Sequence, residues 1–174
     1  MPWLMFWQQS RLIKRGYRVI EMKNVVLIGF MGTGKTSTGR ILANKLGYAF
    51  TDLDQKIEAE AKMSIKDMFA RYGEDYFRDK ERAMVCRMAA RHNLVISTGG
   101  GTVKNPENMT ELRKNGTIIC LTADVDTILE RTGRRGKRPV LDQADQGDRR
   151  AAVAGLMKER QELYAHADYM VDTS

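Results

Sequence analysis

A three-layer α/β/α sandwich on a central five-stranded parallel sheet is the α/β fold class this sequence predicts. Three observations predict it. Short apolar runs alternate with stretches of helical period, the pattern of β–α–β units joined by right-handed crossovers. The first apolar run leads directly into a glycine-rich loop that opens a helix. No internal repeat and no flexible linker divides the 174 residues, so one domain with a real core is expected.

The elements follow in order. Residues 24–30 are continuously apolar after Asn24, as a strand buried on both faces must be. Residues 34–46 read as a helix ending at Gly47, a favourable C-terminal glycine. A short strand over 48–51 leads into Asp52-Leu53-Asp54, and 55–61 has helical character. Ser64 is placed to cap a helix that runs to Tyr72 and stops at Gly73. A longer helix over 74–91 puts Phe77, Met84 and Met88 on one face. Residues 93–97 form a third strand that runs into Gly99-Gly100-Gly101. Helix 106–114, strand 117–121 and helix 124–131 come next. Residues 132–148 are rich in Gly, Arg, Lys and Asp without an apolar period, and are expected to form a mobile lid. Helix 149–165 and a last strand at 168–171 complete the pattern.

Gly29-Phe30-Met31-Gly32-Thr33-Gly34-Lys35-Thr36 reads G-x-x-x-x-G-K-[ST], the phosphate-binding P-loop. Glycines keep Cβ atoms out of a loop whose N–H groups must turn inward onto phosphate oxygens. The helix that follows aims its positive dipole end at the same anion. Gly32, Thr33, Gly34, Lys35, Thr36 and Ser37 are therefore the expected nucleotide contacts. Lys35 supplies a mobile charge for the β- and γ-phosphates, and the Thr36 hydroxyl is placed to ligate Mg²⁺. The expected ligand is a nucleoside triphosphate.

The apolar fraction of 43% and charged fraction of 29% are ordinary for a soluble chain. Cys86 and Cys120 have no metal-like spacing and read as reduced thiols of a cytoplasmic protein. The net charge of +7 does not point to nucleic acid. Arg11, Lys14, Arg15 and Arg18 against Glu21 give residues 1–21 a net +3, and much of the rest sits in Arg131, Arg134, Arg135, Lys137 and Arg138. So compact a cluster suits a polyphosphate better than a duplex. Residues 1–21 are expected to lie outside the fold, with Met22 an alternative start; their apolar patch is too short to span a bilayer.

A P-loop by itself does not distinguish kinases from GTPases or motors. The chain resembles the shikimate kinases from about Lys23 to Ser174, through five patterns in that family's order. These are Gly29-x-x-Gly32-x-Gly34-Lys35-Thr36-x-x-Gly39, Asp52-x-Asp54, Phe77-Arg78-x-x-Glu81, Gly99-Gly100-Gly101, and Arg138-Pro139 followed by Arg160-x-x-Leu163-Tyr164. The resemblance implies a P-loop kinase fold over 22–174, with ATP and shikimate as substrates, Mg²⁺ as cofactor, and no nucleic-acid or membrane partner. It also implies a monomeric cytoplasmic enzyme that phosphorylates the 3-hydroxyl of shikimate.

The resemblance assigns roles residue by residue. Asp54 grips the ring hydroxyls and accepts the attacking hydroxyl's proton; the competing reading makes it the N-cap of the next helix. Asp52 holds Mg²⁺ through water, or is a plain surface aspartate. Arg78 and Arg160 fork onto the carboxylate, with Glu81 steadying Arg78; alone, such an Arg–Glu pair is an ordinary surface pair. Gly99, Gly100 and Gly101 present backbone to the substrate. Ser97 stands where the family carries a hydroxyl in its altered Walker B strand. Arg138 closes onto the transferring phosphate with the lid. Arg131 stacks on adenine, or is a helix-end arginine favoured by the macrodipole. The chain departs from the family pattern by ending at Asp172-Thr173-Ser174, where members continue into a helix that touches adenine. A gluconate kinase is the competing enzyme, and a ligand-binding module without catalysis the competing class. Such a module is expected to have lost Lys35, Asp54 or Arg138, and all three are present.

Overall fold

Five strands, all parallel, pair in the order β2-β3-β1-β4-β5. The computed structural model describes residues 23–133 and 149–174. In chain order these are β1 (Asn24–Ile28), α1 (Lys35–Leu46), β2 (Ala49–Asp52), α2 (Leu53–Ala61), α3 (Ile65–Ala89), β3 (Leu94–Ser97), a 3₁₀ turn (Thr102–Lys104), α4 (Pro106–Lys114), β4 (Gly116–Thr122), α5 (Val125–Gly133), α6 (Arg149–Ala165) and β5 (Tyr169–Asp172). The five-stranded parallel sheet is the one expected.

Strand alternation sorts the core into two faces. Val26, Ile28, Ile96, Ile118 and Cys120 point into the larger cluster with Met84 and Val85 of α3 and Leu112 of α4. Leu27 and Val95 point the other way, against Ala43 of α1. A methyl group at Gly39 would stand 2.6 Å from the Phe50 ring, so this motif glycine lets α1 lie close on the sheet.

Element boundaries differ from the sequence reading by one or two residues, with local causes. β1 ends at Ile28 because Gly29 turns the chain at φ +140°. The two helices expected either side of Gly73 form α3, whose helical path breaks there at φ 83°, ψ 174°. Ser64 caps its start, its side chain accepting from Asp67 N. Phe77, Met84 and Met88 are all buried on it. The 3₁₀ turn after the three glycines had no sequence signal. Thr132 and Gly133 close α5 and do not begin the lid; residues 134–148, like residues 1–22, lie outside the described residues. Among the described residues, no helix is long and apolar enough to cross a membrane.

The topology places the site. β1 connects toward one edge of the sheet through β2, while β3 crosses back over β1 to β4. Parallel neighbours whose connections diverge leave a crevice at their carboxyl ends, where open α/β sheets bind ligands. The loops after β1 and β3 both open there.

Gly29 makes the first of these loops possible. A Cβ there would lie 2.2 Å from the Leu121 carbonyl oxygen, at a φ that L residues rarely adopt. Gly29→Ala is expected to cost at least about 2 kcal/mol of unfolding free energy. Urea denaturation checks this, and an unchanged midpoint would contradict the geometry.

Candidate active site

The loop between β1 and α1 turns on Gly32 (φ +81°) and Gly34 (φ +86°), and Gly34 is the residue before the helix. The first turn of α1 has no side-chain cap and no acidic residue, so its N–H groups and dipole face the crevice unopposed. The Lys35 ammonium, buried, donates to the carbonyls of Gly29 and Phe30 at 2.8 Å each. Residues 32–38, Asp52, Asp54, Gly100, Arg131 and Thr173 are among those lining a cleft of about 620 Å³. All the predicted nucleotide contacts in the loop therefore face one cavity.

Asp52 is the hub beneath it. Its Oδ2 accepts from the Thr36 hydroxyl at 2.7 Å and the Ser97 hydroxyl at 3.2 Å, and its Oδ1 accepts from Gln55 N at 3.3 Å. Asp52 is thus the N-cap of α2, and Asp54 sits in the helix's first turn. The N-cap reading of Asp54 is corrected, as is that of Asp52 as a plain surface residue. The cap leaves the Asp54 carboxylate directed toward the crevice, where a methyl at Gly99 would stand 2.7 Å from its Oδ1.

The three glycines after β3 gather the remaining groups. A methyl at Gly101 would lie 2.8 and 2.9 Å from the Arg78 guanidinium nitrogens. The Gly100 carbonyl accepts from Arg160 Nη1 at 3.1 Å and from the Tyr164 hydroxyl at 3.0 Å. Asp54, Arg78 and Arg160 thus meet around one loop, although 24 positions separate Asp54 from Arg78 and 82 separate Arg78 from Arg160; a side chain at Gly99 or Gly101 would crowd Asp54 or Arg78. Arg160 is 6% exposed and lies 5.4 Å over the Phe30 ring.

Arg78 donates through Nη1 to Glu81 at 2.8 Å and through Nε and Nη2 to Glu74 at 3.0 and 2.8 Å. Burial lowers the pKa of its guanidinium, but the hydrogen bonds and charges of Glu81 and Glu74 outweigh that and raise it above the usual value. Glu81 is only 1% exposed, so its pair with Arg78 is no ordinary surface pair. Burial pushes the Tyr164 hydroxyl up to about 12 and the Cys120 thiol to about 11. The first stays a donor, and the second is a core thiol without nucleophilic character.

Arg131 reaches from the last turn of α5 to the chain after β5. Its Nη2 donates to Thr173 O at 2.6 Å, and its Nη1 to Thr173 Oγ1 at 3.3 Å and Gly32 O at 3.4 Å. It is exposed in the last turn of α5, as the helix-end reading has it, and it also reaches the P-loop carbonyl of Gly32. Arg138 lies outside the described residues. Sequence reasoning overlooked Thr102, Thr173 and the role of the Tyr164 hydroxyl. Tyr164 ends the pattern Arg160-x-x-Leu163-Tyr164 and Thr102 directly follows the glycines, but neither position by itself names a partner.

With this geometry in place, comparison with known proteins is specific. The family model for shikimate kinase matches residues 31–174. The chain is 46% identical over 153 residues to a shikimate kinase of Thermoanaerobacter pseudethanolicus, covering 88% of each chain. It is 47% identical over 152 residues to that of Pelotomaculum thermopropionicum, covering 87% of each. Among solved structures, a shikimate kinase from Acinetobacter baumannii in complex with shikimate superposes with a TM-score of 0.83 at 35% identity, over 88% of this chain and 84% of that one. A gluconokinase from Sinorhizobium meliloti shares the fold, at a TM-score of 0.52 and 16% identity, over 90% of this chain and 85% of that one.

Proposed function

Because the chain belongs to the shikimate kinase family, we propose that it transfers the γ-phosphoryl group of ATP to the 3-hydroxyl of shikimate. The products are shikimate 3-phosphate and ADP, a step toward chorismate and the aromatic amino acids. The observation that carries this reading is the glycine loop after β3. It sets one carboxylate and two guanidinium groups beside a P-loop, which is what a carboxylated polyol and a triphosphate together require.

In this reading the loop amides of 32–36 and the α1 dipole receive the phosphates, and Lys35 places its charge beside the β/γ junction. Arg78 and Arg160 fork onto the substrate carboxylate, and the backbone of 99–101 supports the ring. Asp54 holds the ring hydroxyls and takes the proton of the one that attacks. Arg131 lies against adenine, and Arg138 adds a cation at the transferring phosphate. Catalysis of this kind is mostly positioning plus stabilisation of charge spread over phosphoryl oxygens.

The donor set around Asp52 fits Mg²⁺. It is all hard oxygen, with the Thr36 and Ser97 hydroxyls both within hydrogen-bond distance of one carboxylate oxygen. Thr36 and Asp52 would hold the ion, Asp52 through water, and when bound it neutralises charge on the phosphate oxygens. We read the enzyme as a cytoplasmic monomer acting on two small molecules. ATP as co-substrate and two free cysteines support the compartment, and a site gathered from one chain supports the monomer.

The test is steady-state turnover of the purified chain, by coupled ADP release, with ATP and either shikimate or gluconate. Shikimate is expected to give the higher kcat/KM by roughly 10³ or more, the discrimination a site of buried polar groups achieves. Equal or faster turnover of gluconate would overturn the assignment.

A further inference from the structure

Thr102 is fully buried at the start of the 3₁₀ turn that follows the three glycines. Its hydroxyl donates to Glu81 Oε1 at 2.6 Å, and the other oxygen of that carboxylate, Oε2, accepts from Arg78 Nη1 at 2.8 Å. The turn holding Thr102 is itself tied down. Thr102 N donates to Gly99 O, Lys104 N to Gly101 O, and Asn108 Nδ2 to Thr102 O. Lys104 then pairs with Glu159, next to Arg160 on α6.

From this arrangement we propose that Thr102 is a positioning residue for the substrate carboxylate, acting through Glu81 on Arg78. The inference rests on the proposed assignment of Arg78 to that carboxylate. A buried carboxylate with one oxygen unsatisfied rotates toward whatever donor it can reach. Here a donor already bonded to that carboxylate is the Arg78 guanidinium, whose remaining N–H groups the substrate needs. Thr102 satisfies the far oxygen, so Glu81 takes a single N–H from Arg78 Nη1; with Nε and one N–H of Nη2 held by Glu74, one N–H on each of Nη1 and Nη2 is left for the substrate. The loop and the fork thereby come into register, because Thr102 belongs to the same turn as Gly101, whose Cα lies against the guanidinium.

Thr102→Val keeps the shape and deletes the hydroxyl; Thr102→Ser keeps the hydroxyl. The valine variant is expected to raise the shikimate KM about tenfold, the size of one charge-assisted hydrogen bond, with kcat and the KM for ATP changed less than twofold. The serine variant is expected to restore the KM. The second readout uses methyl shikimate, which lacks the anionic carboxylate. Its KM is expected to be the same for wild type and Thr102→Val, a result that a general loosening of the site would not give. An unchanged shikimate KM in Thr102→Val, or an equal penalty for acid and ester, would overturn the proposal. Absence of shikimate turnover by the wild type would instead remove the functional assignment on which it rests. Should Thr102→Val fail to fold, Thr102→Ala and Thr102→Ser, compared against each other with acid and ester, give the same contrast.

Discussion

Lys35→Ala is expected to lower kcat/KM for shikimate phosphorylation by roughly 10³ or more, since a preorganised cation facing the transferring phosphoryl group is worth that much. The structure adds a second expected loss. Lys35 donates to the Gly29 and Phe30 carbonyls and holds the loop curled over the end of β1. Truncation leaves those two carbonyls without that donor, which costs about 1–2 kcal/mol of stability. Affinity for ADP should fall as well, because the amide cradle and the charge weaken together. Coupled assay, ADP titration and urea denaturation separate the three effects. Near-normal turnover would remove the P-loop from the mechanism.

Arg78→Ala is expected to raise the shikimate KM by roughly 10²–10³ while the KM for ATP changes little, because a bidentate fork onto a carboxylate in a partly desolvated site is lost. The same change removes a partner of Glu81. A nearly inaccessible carboxylate stripped of its cation is destabilising by about 3 kcal/mol. The pair with Glu74, whose side chain is mostly exposed, adds little. Arg78→Lys preserves the charge but not the fork, and should recover the stability more fully than the KM. Steady-state kinetics with each substrate varied, together with urea denaturation, checks both halves. An unchanged shikimate KM in Arg78→Ala would place the substrate elsewhere.

Much of the site was legible because the chemistry is encoded at short range. A P-loop is one loop between one strand and one helix, and its residues face the cleft as their spacing implied. The pair Asp52 and Asp54 was legible as a pair, but not in its division of labour. Which of the two caps α2 depends on where β2 ends, and the structure ends it at Asp52. Glu81 shows the same limit: spacing alone allows a solvated pair with Arg78, and only the packing of α3 beneath the glycine loop buries it.

What the sequence by itself determined is the set of local structures: buried strands from unbroken apolar runs, helices from their period and caps, and the anion-binding turn from its glycines. Each depends on neighbours within a few residues, so each can be read along the chain. Only the tertiary structure decided which distant groups meet. The strand order β2-β3-β1-β4-β5 lays the loop after β3 beside the loop after β1. It thereby joins Thr102 to Glu81 across 21 positions, Arg160 to Gly100 across 60, and Thr173 to Thr33 across 140. Those contacts follow from the pairing of all five strands into one sheet, a requirement of the whole chain that no single segment states.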